Sequence, residues 1–378
     1  MTLPRAALAG LLLGLAQLSK FTALFLVPLF LLLPLAIKWR QRRNPPPPSP
    51  CSYPRLGMVL ATILLIAWAT LLAGYRWQWD PSAFAAMRFR SQLFQAGQSY
   101  FTRIPLPPDY LAGLDAQLSD SEHSPMPNYL LGHWYQGKKW YYFPIALAVK
   151  TPVPIWLGFL AALFLPGPAP RPKRRFLPDE IGLLVVIIFV YLGLTLPSEL
   201  QLGIRYLLPL FPLAYVLMGR LGTLGSPSGR GRWRIPALAG LGLWLLLGTL
   251  RMYPHYLAYF NELAGGPDRG YKILLDSNLD WGQDLPGLAE YMQKHHVGMI
   301  NLAYFGHVDP AVYGIHYDLL QTPNPSGLTA ISAAYLMGFP YPVLYTDPWA
   351  EIPLPITTAF QKRAPITKIG YSIFLFQD

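Results

Sequence analysis

The sequence predicts a mainly α-helical protein, with a polytopic membrane domain of about seven spans, two of them short, followed by an extracytoplasmic α/β domain. Hydrophobic residues make up 53% of the 378 residues and charged residues only 13%, which is too apolar for an ordinary soluble chain. Long apolar runs also alternate with short basic segments over the first two-thirds of the chain. We therefore expect a membrane domain over residues 1–252 and a soluble domain over residues 253–378.

The basic segments predict the orientation of the membrane domain. Short loops rich in lysine and arginine remain on the cytoplasmic side, so the larger polar segments face outward. The predicted location is the cytoplasmic membrane, with several passes and the C-terminal domain outside. Topology and anionic lipids also account for the net charge of +11, so membrane lipids and no nucleic acid are expected as partners. Twelve of the thirty basic residues form the segments: Lys38, Arg40, Arg42, Arg43, Arg171, Lys173, Arg174, Arg175, Arg220, Arg230, Arg232 and Arg234.

The individual spans follow from the apolar runs. Residues 3–37 are too long for one ordinary span of about 20 residues, so two short helices meeting near Ser19 and Lys20 are expected, with one long tilted helix as the alternative. Residues 76–143 form a polar outer segment, in which prolines and aromatic residues predict short interfacial helices and loops. The other spans are predicted at residues 58–75, 144–165, 181–196, 205–218 and 236–250.

The pattern of the C-terminal segment predicts a small α/β layer. Residues 271–276 and 299–305 form apolar runs typical of short buried strands, and residues 284–296 have the apolar spacing of an amphipathic helix. Residues 368–376 alternate as a closing strand does, whereas residues 328–336 fit either a strand or a helix.

Three basic residues are candidates for a phosphate site. Lys20 lies between two apolar runs, Lys150 lies within the first turns of a predicted span, and Arg205 lies at the outer end of another. A charge at such a position is costly, so it is a functional hypothesis by default. Together at the outer membrane face they would suit a phosphate or diphosphate headgroup, which arginine can hold through two hydrogen bonds. The alternative is that these long side chains extend to the membrane interface.

A polar cluster follows the last predicted span. Its carboxylates, amides and tryptophan are typical of sites that hydrogen-bond sugar hydroxyls and stack on the ring, and the same oxygen ligands would suit a divalent metal such as calcium. The plainer interpretation is a turn in which Asp280 or a neighbour caps the next helix. His133 is either a further site residue or an interfacial side chain. The cluster consists of Asn261, Glu262, Asp276, Asn278, Asp280, Trp281, Gln283 and Asp284.

Signals for other chemistry are few. The one cysteine, Cys51, excludes an intramolecular disulfide and argues against a thiolate metal site. The histidines lack a paired metal-ligand spacing, and the sequence has no glycine-rich phosphate loop and no nucleophile elbow. A sugar donor would therefore be linked to a lipid rather than to a soluble nucleotide.

Four motifs, taken in their order along the chain, resemble a known family. Their set is similar to that of the bacterial polyprenyl-phosphate-dependent glycosyltransferases of the GT-C type, relatives of the protein O-mannosyltransferases (family 39) and the aminoarabinose transferases. The resemblance covers essentially the whole chain. The motifs are Gly10-Leu-Leu-Leu-Gly-Leu-Ala-Gln-Leu-Ser-Lys; Trp140-Tyr-Tyr-Phe-Pro with Val149-Lys-Thr-Pro; Gly203-Ile-Arg-Tyr-Leu-Leu-Pro; and Asp276-Ser-Asn-Leu-Asp-Trp-Gly-Gln-Asp.

The resemblance implies transfer of a sugar from a polyprenyl phosphate to a glycan, lipid or protein acceptor outside the cytoplasm. It implies that Lys20, Lys150 and Arg205 hold the lipid phosphate. In the family, an aspartate in the first extracytoplasmic loop acts as base or orients the acceptor. No segment here corresponds to that loop, so no catalytic residue is assigned, and we expect an N-terminally truncated enzyme that is inactive alone. A transporter or flippase of lipid-linked sugars and a non-catalytic carbohydrate-binding scaffold are the alternatives.

Overall fold

The chain divides into two compact units. The first consists of Met1–Ser124 and Arg174–Leu200, and the second of Pro125–Lys173 and Gln201–Asp378. The domain boundary predicted at residue 252 therefore lies within the second unit. Of the predicted basic segments, only Arg234 lies among the described residues. The computed structural model describes residues 3–28, 53–78, 87–101, 105–122, 126–164, 178–195, 199–219, 221, 234–343, 345–346 and 350–377.

The chain is mainly helical, with a mixed sheet near its C-terminus, which confirms the predicted fold class at this level. The longer helices are α1 (Leu3–Ser19), α2 (Tyr53–Gly74), α3 (Pro108–Glu122), α4 (Tyr142–Lys150), α5 (Val153–Phe164), α6 (Pro178–Thr195), α7 (Leu210–Met218), α8 (Arg234–Arg251) and α9 (Leu285–Lys294). Shorter helical segments are Gln92–Ala96, Gln98–Phe101, Pro267–Gly270, Ala333–Leu336 and Leu354–Thr358. The strands are β1 (Asn128–Leu130), β2 (His133–Tyr135), β3 (Ile300–Ala303), β4 (Tyr317–Leu319), β5 (Leu328–Ser332), β6 (Thr367–Ile369) and β7 (Ile373–Gln377).

Apolar length varies widely among these helices. Within the described residues, one helical stretch, Gly57–Gly74 in α2, is long and apolar enough to cross a membrane by length and composition. Helices α4 and α5 would supply a second if they form one broken span. Leu3–Ser19, Gly182–Gly193 and Ile235–Arg251 are apolar but shorter. The count of about seven spans stays a prediction from the sequence pattern.

In the first unit, α1 and α2 pack closely because α1 presents small residues to its neighbour. Ala6, Gly10 and Gly14 recur at four-residue intervals and are buried, so they share one face of the helix. A Cβ atom on Gly10 would lie 2.6 Å from the carbonyl oxygen of Ile63, and one on Gly14 would lie 2.5 Å from Cβ of Thr70. Small residues at this spacing allow helix backbones to approach closely, as they do in membrane helix pairs.

A buried carboxylate on α3 holds the segment that begins at Arg90 in the first unit. Asp115 on α3 accepts hydrogen bonds from the backbone N–H of Arg90 and Ser91 at 2.7 and 2.9 Å and from the Ser91 hydroxyl at 2.6 Å. The Ser91 side chain in turn caps the short helix Gln92–Ala96. Residues 76–143 therefore contain short helices, as predicted, joined by a polar contact rather than by apolar packing alone.

The second unit contains a helix break within the span predicted at residues 144–165. Helices α4 and α5 meet at an angle of 109°. Thr151, which precedes Pro152, has an extended backbone (φ −87°, ψ 130°). A residue before proline is disfavoured in the helical region, and proline lacks the N–H needed to continue the helix. The predicted span at residues 144–165 is therefore two helices, each shorter than a bilayer span.

The predicted span at residues 205–218 is also interrupted. Ile204–Leu207 forms a 3₁₀ turn, and α7 begins only after Pro209 and has nine residues. Proline suits a helix start because its missing N–H needs no partner there. Arg205 consequently lies on a turn before α7.

The C-terminal sheet is mixed, with strand order β4-β3-β5-β7-β6. Strand β3 pairs in parallel with β4 and β5, and β7 pairs antiparallel with β5 and β6. The amphipathic helix α9 buries Leu285, Leu288 and Met292, and β3 lies within the predicted residues 299–305, so both predictions are confirmed. Residues 328–336 are a strand followed by a helical turn, and the predicted closing strand is a β6–β7 hairpin.

The predicted strand at residues 271–276 is wrong. Leu274 and Leu275 are buried, as a strand would require, but the backbone N–H groups of Ile273 and Leu274 donate to the carbonyl of Gly270 and form a turn. Asp276 then adopts φ 54°, in the left-handed region, and begins a 3₁₀ turn. A short apolar run records burial but does not distinguish a strand from a buried turn.

We expect Gly14→Ala to destabilise the first unit by about 1–3 kcal/mol, because the added methyl group overpacks the α1–α2 contact. The matched control is Gly57→Ala on α2, where a Cβ atom meets nothing within 4 Å. There the alanine should be neutral or stabilise by up to about 1 kcal/mol through helix propensity. Thermal unfolding in detergent measures both, and equal effects of the two substitutions would contradict the close α1–α2 contact.

Candidate functional site

The three basic candidates lie in different surroundings. Lys20 belongs to the first unit, where it is exposed and precedes the 3₁₀ turn Phe21–Phe25 with an extended backbone (φ −160°). Lys150 and Arg205 belong to the second unit. Lys150 is buried, with 8% of its surface exposed, whereas Arg205 is half-buried. A shared phosphate site for all three stays a prediction.

The Lys150 ammonium is hydrogen-bonded within the protein. Its Nζ donates to the carbonyl oxygens of Leu257 and Asn278, at 2.8 and 2.7 Å. It also lies 4.3 Å from the ring centroid of Phe260, which provides a cation–π contact. An ammonium has three N–H donors, so a phosphate could reach Lys150 only by taking the remaining donor or replacing one of these bonds. The lysine joins the end of α4 to two distant segments.

Asn261 satisfies the carbonyl groups that the helix break leaves free. Its Nδ2 donates to the carbonyls of Ala148 and Thr151 at 2.5 and 2.9 Å, and its backbone N–H donates to Val149 at 2.9 Å. Its Oδ1 accepts from the N–H of Ala264 and caps a 3₁₀ turn. The last carbonyls of a helix have no partner within it, so a buried helix end needs such donors. With 0% exposure, the Asn261 side chain is part of the helix end.

Asn278 joins the Arg205 turn to the start of α4. Its Oδ1 accepts from the N–H of Ile204 at 3.3 Å, and its Nδ2 donates to the Tyr142 hydroxyl and the Leu275 carbonyl at 3.2 and 3.1 Å. Gly203 has φ 88°, and a Cβ atom there would lie 1.9 Å from Oδ1 of Asn278. Only glycine fits this approach, because both the backbone conformation and the available space exclude a side chain.

Asp284 and Gln283 stabilise the turn that leads into α9. Asp284 precedes α9 and accepts from the Ser372 hydroxyl at 2.7 Å, and its other oxygen lies 3.2 Å from Nδ1 of His255. Gln283 donates to the Leu279 carbonyl and accepts from the N–H of Trp281, so it stabilises its own turn. A helix cap was predicted for Asp280 or a neighbour. Asp284 occupies the N-cap position of α9, but its side chain makes no hydrogen bond to the N–H groups of the helix.

Asp280 is a buried carboxyl with an unusual environment. It is 1% exposed; one oxygen accepts from the N–H of Gly282 at 2.8 Å, and Oδ2 has no hydrogen-bond partner within the described residues. Burial raises the pKa of Asp280 to about 7, with a smaller contribution from the charge of Asp284, while Gly282 and Ser332 oppose the shift. A carboxyl in this setting is stabilised in its protonated form near neutral pH.

Arg205 and Trp281 form the accessible part of the cluster. The guanidinium lies 5.3 Å from the ring of Trp281, whose side chain is 52% exposed, and 5.5 Å from the ring of Tyr206. Asp276 is close enough for the arginine charge to lower its pKa, although burial raises that pKa by more. Arg205 has no hydrogen bond and no ion pair with any residue that the structure describes. Its donors are therefore available to a ligand.

The remaining candidates lie apart from this arginine–tryptophan pair. His133 is exposed on β2. Glu262 is exposed and accepts a hydrogen bond from the indole N–H of Trp244 at 3.1 Å. As for metals, the described part of the chain contains no group of three or more histidine, cysteine, aspartate or glutamate side chains that could hold an ion. The arginine–tryptophan pair places a cation beside an exposed aromatic ring.

Tyr142, His255 and Ser372 hydrogen-bond or pair with the cluster, although the sequence pattern assigned no site role to any of them. The sequence carries a signal for the helix end alone. Thr151-Pro152 predicts a helix break, and the carbonyl groups at such a break need hydrogen-bond donors from elsewhere in the chain. Comparison of the chain with protein-family models, curated proteins and solved structures found no match.

We expect Lys150→Met to destabilise the second unit by about 2–5 kcal/mol, because two carbonyl groups lose their donor. The control is Lys294→Met, which removes an exposed ammonium at the end of α9 and should change stability by less than about 0.5 kcal/mol. Thermal unfolding distinguishes them. An unchanged unfolding temperature combined with weaker binding of a polyprenyl phosphate would instead identify Lys150 as a phosphate ligand.

Asp280→Asn should stabilise the protein increasingly as the pH rises. The raised pKa of about 7 means that, between about pH 4 and pH 7, the folded protein holds a proton that the unfolded chain has released. The wild-type free energy of unfolding therefore falls through this window, whereas asparagine carries no titrating proton. Unfolding temperatures at pH 5 and pH 8 measure the difference. Asp318→Asn, at an exposed carboxylate, is the control, and a pH-independent effect of Asp280→Asn would contradict the shift.

Proposed function

We propose that the chain acts in sugar transfer from a polyprenyl-phosphate carrier, as a membrane glycosyltransferase of the GT-C type or a part of one. The single observation that carries this proposal is Arg205, a half-buried residue whose guanidinium lies over the ring of Trp281 and has no hydrogen-bond acceptor among the described residues. The rings of Trp281 and Tyr206 and the charge of Asp276 attract the guanidinium, but they give its N–H groups no hydrogen-bond acceptor, which an anionic ligand can supply. Phosphate matches it, because the planar guanidinium can donate two parallel hydrogen bonds.

The surroundings of Arg205 fit a lipid-linked sugar phosphate better than a free anion. The exposed ring of Trp281 beside the guanidinium offers an apolar face on which a sugar or prenyl group can pack. The apolar helices α4, α5, α7 and α8 belong to the same unit as Arg205, which supports a ligand that arrives from a membrane. In this proposal the acceptor is a glycan, lipid or protein on the outer side.

Lys150 has a supporting role in the proposal. Its bond to the Asn278 carbonyl holds the segment that carries Trp281, and Asn278 in turn binds the N–H of Ile204 next to Arg205. The lysine therefore fixes the distance between the arginine and the tryptophan through the backbone. The proposal assigns no catalytic group.

Arg205→Ala should weaken binding of a polyprenyl phosphate by about 10–100-fold, because it removes a charge-assisted hydrogen bond pair worth about 1.5–3 kcal/mol. Arg205→Lys keeps the charge but loses the two-pronged geometry, so an intermediate loss is expected. Binding to the purified chain in detergent can be measured by displacement of a fluorescent polyprenyl phosphate.

Arg269→Ala is the matched control, since Arg269 is an exposed arginine of the same unit. Equal losses for Arg205→Ala and Arg269→Ala would indicate only a general effect of positive charge and would contradict the proposed site. Retained lipid binding by Arg205→Ala, together with carbohydrate binding by the chain, would favour the non-catalytic scaffold.

A further inference from the structure

The second unit contains a cavity of about 210 Å³ that the proposed phosphate site does not use. It lies between the break of α4 and α5 and the C-terminal half of α8, and it extends to the turns that follow α8. Aromatic and carboxylate side chains combine there with proline and leucine. The residues that matter are Pro152, Trp244, Thr249, Tyr256, Tyr259 and Glu262.

The charge of the cavity is opposite to that of the chain. Glu262 is the one charged side chain among the described residues that line it, although the protein as a whole has a net charge of +11. The carboxylate is held in place, because its Oε1 accepts from the indole N–H of Trp244 at 3.1 Å. Burial and, second, the charge of Glu262 raise the pKa of Tyr259 to about 12. The Tyr259 phenol is therefore neutral at physiological pH. The negative charge of Glu262 acts on the Tyr259 side chain that lines the cavity.

We propose that this cavity binds an alkylammonium group. Three electron-rich rings and one carboxylate around a small space are the arrangement that recognises a primary or quaternary ammonium, through cation–π attraction and ion pairing. A phosphate or carboxylate would be repelled by Glu262, whereas a cation can pair with it. The mixed lining, mostly apolar with one oriented charge, is typical of small-ligand sites.

Two sources could supply the ammonium. The cavity adjoins the end of the apolar helix α8, and Tyr253 and Tyr256 near that end are exposed, as aromatic residues at a membrane interface often are. An ethanolamine lipid headgroup would reach it from the membrane, whereas a soluble amine would reach it from the aqueous phase. The chemistry of recognition is the same, so the experiment must separate the two.

The first experiment titrates the purified full chain in detergent with choline and with its neutral isostere 3,3-dimethylbutanol, using calorimetry. Choline should bind at least about tenfold more tightly, because only the cation interacts with the rings and with Glu262. Glu262→Gln, which keeps an acceptor for the Trp244 N–H, should lower choline affinity by about tenfold. Glu290→Gln, at an exposed glutamate on α9, is the control and should have no effect.

The second experiment identifies the source by native mass spectrometry of the chain released from nanodiscs of phosphatidylethanolamine or phosphatidylglycerol. Selective retention of the ethanolamine lipid, lost in Glu262→Gln, assigns a lipid headgroup; choline binding without lipid retention assigns a soluble amine. Equal affinity for choline and its isostere in the wild-type chain overturns the proposal, and so do equal effects of the two glutamine substitutions. Arg205→Ala should leave choline binding unchanged, so failure of the phosphate site and failure of this cavity are separable.

Discussion

The break between α4 and α5 is the constraint on which the second unit depends. Pro152 ends a helix beside the buried residues Thr151 and Asn261, where carbonyl groups left without a donor are costly. Asn261 supplies the missing donors, and Lys150 extends from the same helix end to the carbonyls of Leu257 and Asn278. A single interrupted helix thereby fixes the backbone after α8 and the turn that carries the polar cluster.

This network divides the polar residues into two groups with different uses. Lys150, Asn261 and Asn278 form hydrogen bonds to backbone carbonyl groups, so these side chains stabilise the fold. Arg205 and Trp281 are more accessible and contact each other through a cation–π interaction. Polar residues that cluster in a sequence can thus belong to the support of a site rather than to its binding surface, and burial decides between the two.

The sequence predicted elements that depend on local apolar patterns better than it predicted turns and helix breaks. Helix α9 was predicted correctly because its apolar spacing reflects one buried face, and strand β3 because a short apolar run there is buried within the sheet. The strand at residues 271–276 was wrong because the same apolar burial is achieved there by a turn ending at Asp276 with φ 54°. The break at Thr151-Pro152 could have been predicted from the proline, yet the continuous apolar run favoured one span.

The sequence by itself determined the apolar helical character, the amphipathic helix, the single cysteine and the set of residue types available to a site. Only the tertiary structure decided which of those residues form hydrogen bonds within the protein. The bond from Lys150 to Asn278 spans 128 residues of sequence, and the bond from Asn261 to Ala148 spans 113. Local patterns carry no information about such pairs, because a side chain's partner is set by packing that brings distant segments together. For the same reason, the cation–π contact of Arg205 with Trp281 became visible only in three dimensions.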